Sequence, residues 1–156
     1  MKISDILNET NVRVNLPAAT KDELLNSMVD VAAQSGRVTD PERMRTAIFE
    51  REKIMSTGVG SGFAVPHGKT DAVEDIVAAF ATTAQAIDYQ SLDEQPVRLI
   101  FLLVGRDTMV GPHIKLLSRI SRLMNKEEFR TKLLDAKDAV QVLRIFRDEE
   151  AAYNEG

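Results

Sequence analysis

Cysteine is absent from this 156-residue chain. Its absence removes disulfide frameworks, thiolate nucleophiles and cysteine-ligated zinc or iron–sulfur centres together, and it suits a reducing cytoplasmic setting. Long apolar runs are missing as well. No stretch approaches the roughly 20 residues that cross a bilayer, and the N-terminal segment lacks the basic-then-apolar order of an export signal. A cytoplasmic protein without membrane insertion is expected. Nor is positive charge in excess: 20 Lys plus Arg stand against 24 Asp plus Glu, a net −4, with an isoelectric point near 5.3. That balance works against sequence-independent attraction to nucleic acid, so no nucleic-acid partner is expected. Histidine, the one side chain that titrates near neutrality when unperturbed, occurs only twice, as His67 and His113.

The rest of the composition, 44% hydrophobic, is enough to build the core of one compact domain over residues 1–156. After a short approach segment, Val12, Val14 and Leu16 alternate with Arg13 and Asn15, a strand pattern that Pro17 ends. Thr20-Lys21-Asp22-Glu23 reads as a capping box ahead of a helical stripe of Leu24, Leu25, Met28, Val31 and Ala32, with Gly36 as its stop. Asp40-Pro41-Glu42 opens a second helix, whose apolar stripe is Met44, Ala47 and Ile48. Glycine at every second position predicts a loop from Thr57 to Gly62. Phe63-Ala64-Val65 is a short apolar run closed by Pro66, which leaves His67-Gly68 at a strand end or turn.

Ile76 to Thr82 and Val97 to Val104 are the best strands. The second is continuously apolar from Leu99 onward and is expected at the sheet centre, covered on both faces. Gly111-Pro112 turns into a helix with His113, Leu116, Leu117, Ile120, Leu123 and Met124 inward. Asn125 with Glu128 offers a capping pair before Phe129, Leu133 and Leu134. A last helix carrying Val140, Leu143, Ile145 and Phe146 precedes an acidic, frayed end. Residues 113–132 hold 6 basic and 2 acidic groups, and Lys115, Arg119, Arg122 and Lys126 are spaced as one helical stripe, a solvated face or a docking surface. Strands interleaved with helices predict an α/β fold, a three-layer α/β/α domain with a central mixed β-sheet flanked by helices.

Each histidine directly follows a proline, Pro66-His67 and Pro112-His113. Proline fixes one backbone dihedral and restrains the residue before it, so each ring starts from a defined direction. A neutral imidazole nitrogen can attack phosphorus. The transition state spreads negative charge over the phosphoryl oxygens, so catalysis needs positioning, hydrogen-bond donors and a nearby cation. Thr57, the Gly58–Gly62 loop with Ser61, and the amides around Gly68 are candidate donors. Arg51 offers a guanidinium fork, and His113 a second imidazole at a helix N-terminus, where anions are favoured.

Other readings stay open on these residues alone. A histidine after a strand also suits a surface or core position, and Arg51, between Glu50 and Glu52, suits helix-surface ion pairs. A two-histidine metal site, as in a metal-dependent hydrolase, would draw on Asp71 or Asp107, yet no His-x-x-x-His or Glu-x-x-His spacing occurs. The glycine run lacks both the strand–turn–helix setting of a dinucleotide fingerprint and the Lys-Ser/Thr ending of a P-loop, so nucleotide binding of those kinds is not expected.

The stretch from Arg51-Glu52-Lys53 through Ser56-Thr57-Gly58-Val59-Gly60-Ser61-Gly62-Phe63-Ala64-Val65-Pro66-His67-Gly68-Lys69 resembles the active-site signature of enzyme IIA domains of the mannitol/fructose class in the bacterial phosphoenolpyruvate-dependent phosphotransferase system. Val97 to Val104 resembles that family's core strand, and His113-Ile114-Lys115-Leu116-Leu117-Ser118-Arg119-Ile120 its second-histidine helix. The resemblance implies that His67 is phosphorylated, through Nε2. It further implies that His113 hydrogen-bonds the phosphoryl group or the nucleophile's surroundings, and that Arg51 neutralises charge during transfer. Thr57 falls at a supporting position near the phosphate. Ser61 departs from mannitol-specific members, which can carry an acid there, and is closer to the nitrogen-related branch. The implied donor is the histidine-phosphorylated carrier HPr or its nitrogen-branch counterpart. The implied acceptor is a IIB component or a regulatory target. No cofactor or metal is called for. Because a IIB domain of the usual kind uses cysteine, such an acceptor has to be a separate protein. A regulatory interaction module, switched by phosphorylation without onward transfer, is the alternative.

Overall fold

A computed structural model describes residues 1–155. In chain order the elements are α1 (Ile3–Ile6), β1 (Val12–Leu16), α2 (Lys21–Ala33), α3 (Pro41–Ile54), β2 (Gly58–Gly60), β3 (Phe63–Ala64), β4 (His67–Lys69), β5 (Val77–Ile87), β6 (Val97–Gly105), a 3₁₀ turn at Asp107–Met109, α4 (Val110–Met124), α5 (Glu127–Asp135) and α6 (Ala139–Glu155). The strands form one mixed sheet in the order β1-β5-β6-β3-β2, with β4 also paired to β6. β1 runs parallel to β5, β3 and β4 run parallel to β6, and the β5–β6 and β2–β3 pairs are antiparallel.

Side-chain alternation along the central strands builds the two outer layers. On β6, Leu99, Phe101 and Leu103 enter a core shared with α1, α4, α5 and α6, while Ile100, Leu102 and Val104 enter a second core shared with α2 and α3. Six consecutive apolar residues are what a strand needs when helices cover both faces. The three-layer α/β/α arrangement with a mixed central sheet is therefore the observed fold.

Local chemistry starts the helices where the sequence places them. Thr20 accepts the Glu23 amide at 3.2 Å, and the Glu23 carboxylate reaches back to the Ala19 amide at 2.8 Å, one residue beyond the usual box. Asp40 accepts the Arg43 amide, with Pro41 in the first helical turn.

Four expectations are corrected. The Thr57–Gly62 segment is not a plain loop: Gly58–Gly60 pairs with β3 as a short edge strand, and Gly58 is strand-compatible because its missing Cβ is where Ser91 Oγ lies, 2.2 Å from the position it would take. Gly111 and Pro112 lie inside the first turn of α4 rather than before it, a place where proline's absent amide costs nothing. Asn125 closes α4 instead of capping α5, whose N-cap is Lys126 without a side-chain bond. The acidic end is helical through Glu155, because Glu149 pairs with Lys126 and Glu150 is buried; Gly156 lies outside the described residues.

Candidate active site

β3 and β4 form one nearly continuous run along β6. Phe63 and Ala64 sit opposite Leu99 and Ile100, and His67, Gly68 and Lys69 sit opposite Leu103, Val104 and Gly105. Odd-numbered side chains of this run, Phe63 and Val65, face the α4 side, so by the period of two His67 and Lys69 share that face. Gly68 faces the other way, against Ala47 and Ile48 of α3, where an added Cβ would lie 3.4 Å from Ile48 Cδ1. Glycine there lets α3 lie close on β4 and brings the end of α3, with Arg51, toward His67.

His113 enters from the first turn of α4. Its ring centroid lies 6.1 Å from that of His67, with the planes tilted by 58°. Gly105 permits this approach, since a Cβ at that position would stand 3.0 Å from His113 Nδ1. The site thus sits at the start of β4, beside the C-terminal part of β6, with His113 entering from the first turn of α4, and a helix N-terminus favours anions.

Hydrogen bonding fixes the His67 tautomer. Nδ1 lies 2.8 Å from the Val65 carbonyl oxygen, which can only accept, so Nδ1 carries the hydrogen and Nε2 keeps its lone pair. The ring is half-buried. Burial lowers its pKa below the ordinary histidine value and the Val65 bond works against that shift; Arg51 and Lys69 lower it further, and Glu52 raises it. His113 is buried at 1% exposure, and its pKa is pushed down to about 4, first by desolvation and then by the charges of His67 and Lys69. Both rings are therefore neutral near pH 7. Neither nitrogen of His113 has a hydrogen-bond partner. A buried polar group without a protein partner costs about 1–3 kcal/mol.

The remaining expected residues divide. Arg51 stands in the last turn of α3 and acts electrostatically on His67; its Nη1 donates to the Met55 carbonyl at 3.0 Å. It does not pair with its neighbours in sequence, since Glu50 meets Lys53 and Glu52 meets Lys21. Thr57 is buried, and its hydroxyl donates to Glu52 and lies 3.0 Å from the Tyr89 hydroxyl, so it supports the site from behind. Ser61, expected as a supporting residue, sits in the β2–β3 hairpin. It forms the β2–β3 turn with φ 58°, and its amide donates to Asp93 at 3.0 Å. At about 3.3 Å per residue, Phe63 alone is already roughly 13 Å from His67 along the strand, and Ser61 lies beyond it. Asp71 is turned to Arg43, and among the described residues no group of three or more His, Cys, Asp or Glu could hold a metal ion.

Two site residues escaped sequence reasoning. Lys69 was legible in principle, since i and i+2 share a face once β4 is known to be a strand. Glu52 was not, because its partners Lys21, Thr57 and Tyr89 come from three separate segments.

The sequence and the fold are both similar to those of known proteins. A family model described as "Phosphoenolpyruvate-dependent sugar phosphotransferase system, EIIA 2" matches residues 5–149. The chain is 36% identical over 151 residues to a PTS system fructose-specific EIIA component of Haloferax volcanii, covering 95% of this chain and 98% of that one. It is 34% identical over 149 residues to a nitrogen regulatory protein of Bradyrhizobium diazoefficiens, covering 93% and 94%. Against the fructose-specific EIIABC component of Bacillus subtilis, at 33% identity, it covers 96% of itself but spans 24% of that longer protein. In structure it superposes on nitrogen regulatory protein IIA-Ntr of Neisseria meningitidis with a TM-score of 0.87 at 26% identity, covering 92% and 98%. It has the fold of Escherichia coli enzyme IIA mannitol, solved in complex with phosphorylated enzyme IIB mannitol, with a TM-score of 0.79 at 23% identity, covering 91% and 97%.

Proposed function

The chain belongs to the EIIA 2 family of the phosphoenolpyruvate-dependent sugar phosphotransferase system, a family of phosphocarriers, and on that premise we propose that His67 Nε2 is the atom that carries the phosphoryl group. The donor in this reading is the histidine-phosphorylated carrier HPr or its nitrogen-branch counterpart. The acceptor is a separate IIB component. The observation that carries it is the Nδ1–Val65 bond, which leaves Nε2 unprotonated on the face shared with His113.

The step balances without a cofactor. The Nε2 lone pair attacks phosphorus, the donor's P–N bond breaks, and the donor imidazole leaves with the electron pair. Positive charge that develops on the His67 ring is stabilised through Nδ1–H by the Val65 carbonyl. Negative charge on the phosphoryl oxygens meets Arg51, Lys69 and the N-terminal end of α4. His113, neutral and unpaired, donates one hydrogen bond to those oxygens. Ile54 and Met55 after Arg51, and Val110 and Ile114 around His113, are exposed apolar side chains; such a rim suits a macromolecular partner more than a small ligand.

The test is incubation with phosphoenolpyruvate, enzyme I and HPr, followed by peptide mapping. Acid-labile, base-stable label is expected on His67 and is lost in His67→Ala, while His113→Ala and Arg51→Ala slow its appearance with the fold intact. Undiminished label in His67→Ala would refute the site. Similarity to nitrogen regulatory proteins favours one further reading, in which phospho-His67 alters affinity for a regulatory target. Onward transfer to a IIB acceptor separates the two: rapid transfer supports the carrier, and persistent label with changed target affinity supports the switch.

A further inference from the structure

Behind the site lies a buried group that phosphoryl transfer does not itself use. Glu52, one residue past Arg51, has a side chain 6% exposed, and every lone-pair position of its carboxylate is engaged. Oε2 accepts the Thr57 amide at 2.7 Å and meets Lys21 Nζ at 3.0 Å. Oε1 accepts the Thr57 hydroxyl and the Tyr89 hydroxyl, the latter at 3.1 Å. Lys21 also stands 4.5 Å over the Tyr89 ring, an arrangement that adds cation–π attraction. Four elements meet in this tetrad: the start of α2, the end of α3, the 55–57 segment and the strand end after β5.

The tetrad reaches the site by a short covalent and hydrogen-bonded path. Thr57, clamped by Glu52 at both amide and hydroxyl, is two residues from Met55, and the Met55 carbonyl accepts from Arg51 Nη1. The Thr57 carbonyl in turn accepts the Val65 amide at 3.0 Å, and Val65 is the residue whose carbonyl orients His67. One carboxylate thus braces both the guanidinium and the imidazole. An external ion pair would not need this burial, since placing a charge among apolar neighbours is costly unless all its bonds are made.

Resting on the reading of His67 as the phosphorylated residue, we propose that Glu52, with Lys21 and Tyr89, is a positioning residue that fixes Arg51 and His67 in the geometry of phosphoryl transfer. Its charge also counts, because it offsets Arg51 and Lys69 at the His67 ring.

Glu52→Gln keeps the shape and removes the charge, which breaks the pairing with Lys21. The rate of phosphoryl acceptance from phospho-HPr is expected to fall about 10- to 100-fold with KM for the donor unchanged, since the docking rim is untouched. In the unphosphorylated variant the His67 pKa, followed by NMR, should move down, and the Arg51 Nε signal should shift. Unchanged acceptance together with an unchanged His67 titration in a folded variant would overturn the proposal. If Glu52→Gln does not fold, Tyr89→Phe carries the test, with a fall of about three- to tenfold expected and no fall overturning it. The NMR readouts need no phosphoryl donor. A wild-type protein that takes no label on His67 therefore counts against the proposed function, while the brace is still judged by the titration.

Discussion

At the scale of single residues, the two histidines do different work because their surroundings differ. His67 has a bonded Nδ1 and a neighbouring guanidinium, so its tautomer is set. His113 has no partner at either nitrogen and a pKa near 4, which has a consequence for stability. In the unfolded chain this ring takes a proton around pH 6.5, whereas in the fold it stays neutral until about pH 4. Between those values the unfolded state binds more protons, so stability is complete above pH 6.5 and declines as the pH falls toward 4. For one such group the loss between pH 7.5 and pH 5 is about 2 kcal/mol, with His67 adding in the same direction. Urea unfolding at the two pH values should show this loss in the wild type and a smaller one in His113→Gln. An equal loss in both would mean that other groups set the acid limb.

At the scale of elements, legibility followed the range of the interactions involved. β6 could be read because six apolar residues in succession state their own environment, and α2 and α3 because Thr20 and Asp40 cap them within three residues. α1 could not, being four residues long and held by Glu150, whose carboxylate accepts the Ile3 and Ser4 amides at 2.7 and 2.8 Å from 147 and 146 positions away. β2 was hidden because glycine alternation resembles a loop unless Ser91 is known to lie against Gly58. Of the candidate site, the two histidines and Arg51 could be singled out from residue type and motif, while the contacts of Glu52 and the place of Ser61 in the β2–β3 turn depend on register.

That register makes a prediction about the β2–β3 hairpin. Ser61→Ala removes a hydroxyl at the turn, far along the strand from His67, and Asp93→Ala removes the carboxylate that accepts the Ser61 and Gln95 amides. Hydrogen exchange in the turn should quicken in Asp93→Ala, and phosphorylation kinetics at His67 should match the wild type in both variants. A slowing of about tenfold or more in Ser61→Ala, the size seen when transition-state contacts are lost, would return Ser61 to the site.

At the scale of the whole molecule, the sheet separates two cores, and the site draws on both. Arg51 and its brace belong to the α2–α3 layer, and His113 to the layer of α1, α4, α5 and α6. The second layer is closed by Glu150 of α6, which caps α1 and faces Arg119 of α4 at 3.6 Å. Arg119 also donates to the Met1 carbonyl, so part of the basic stripe on α4 is structural. Among the described residues no helix is long and apolar enough to cross a membrane, and this layer is held by packing, by Glu150 and by the Lys126–Glu149 pair. Glu150→Ala would leave the buried Ile3 amide and the partly buried Ser4 amide without their acceptor and take the carboxylate away from Arg119. A loss of about 2–4 kcal/mol is expected, since each orphaned buried donor costs about 1–3 kcal/mol and water recovers part of it. The effect should be unequal across the fold. Amides of Ile3 to Ile6 should exchange almost freely, those of β5 and β6 should be slowed only by the reduced global stability, and His113 should keep its depressed pKa because α4 is still anchored by Leu116, Ile120 and Leu123. If α1 stays protected in Glu150→Ala, its burial through Ile3 and Ile6 is sufficient by itself, and the carboxylate does not close the layer.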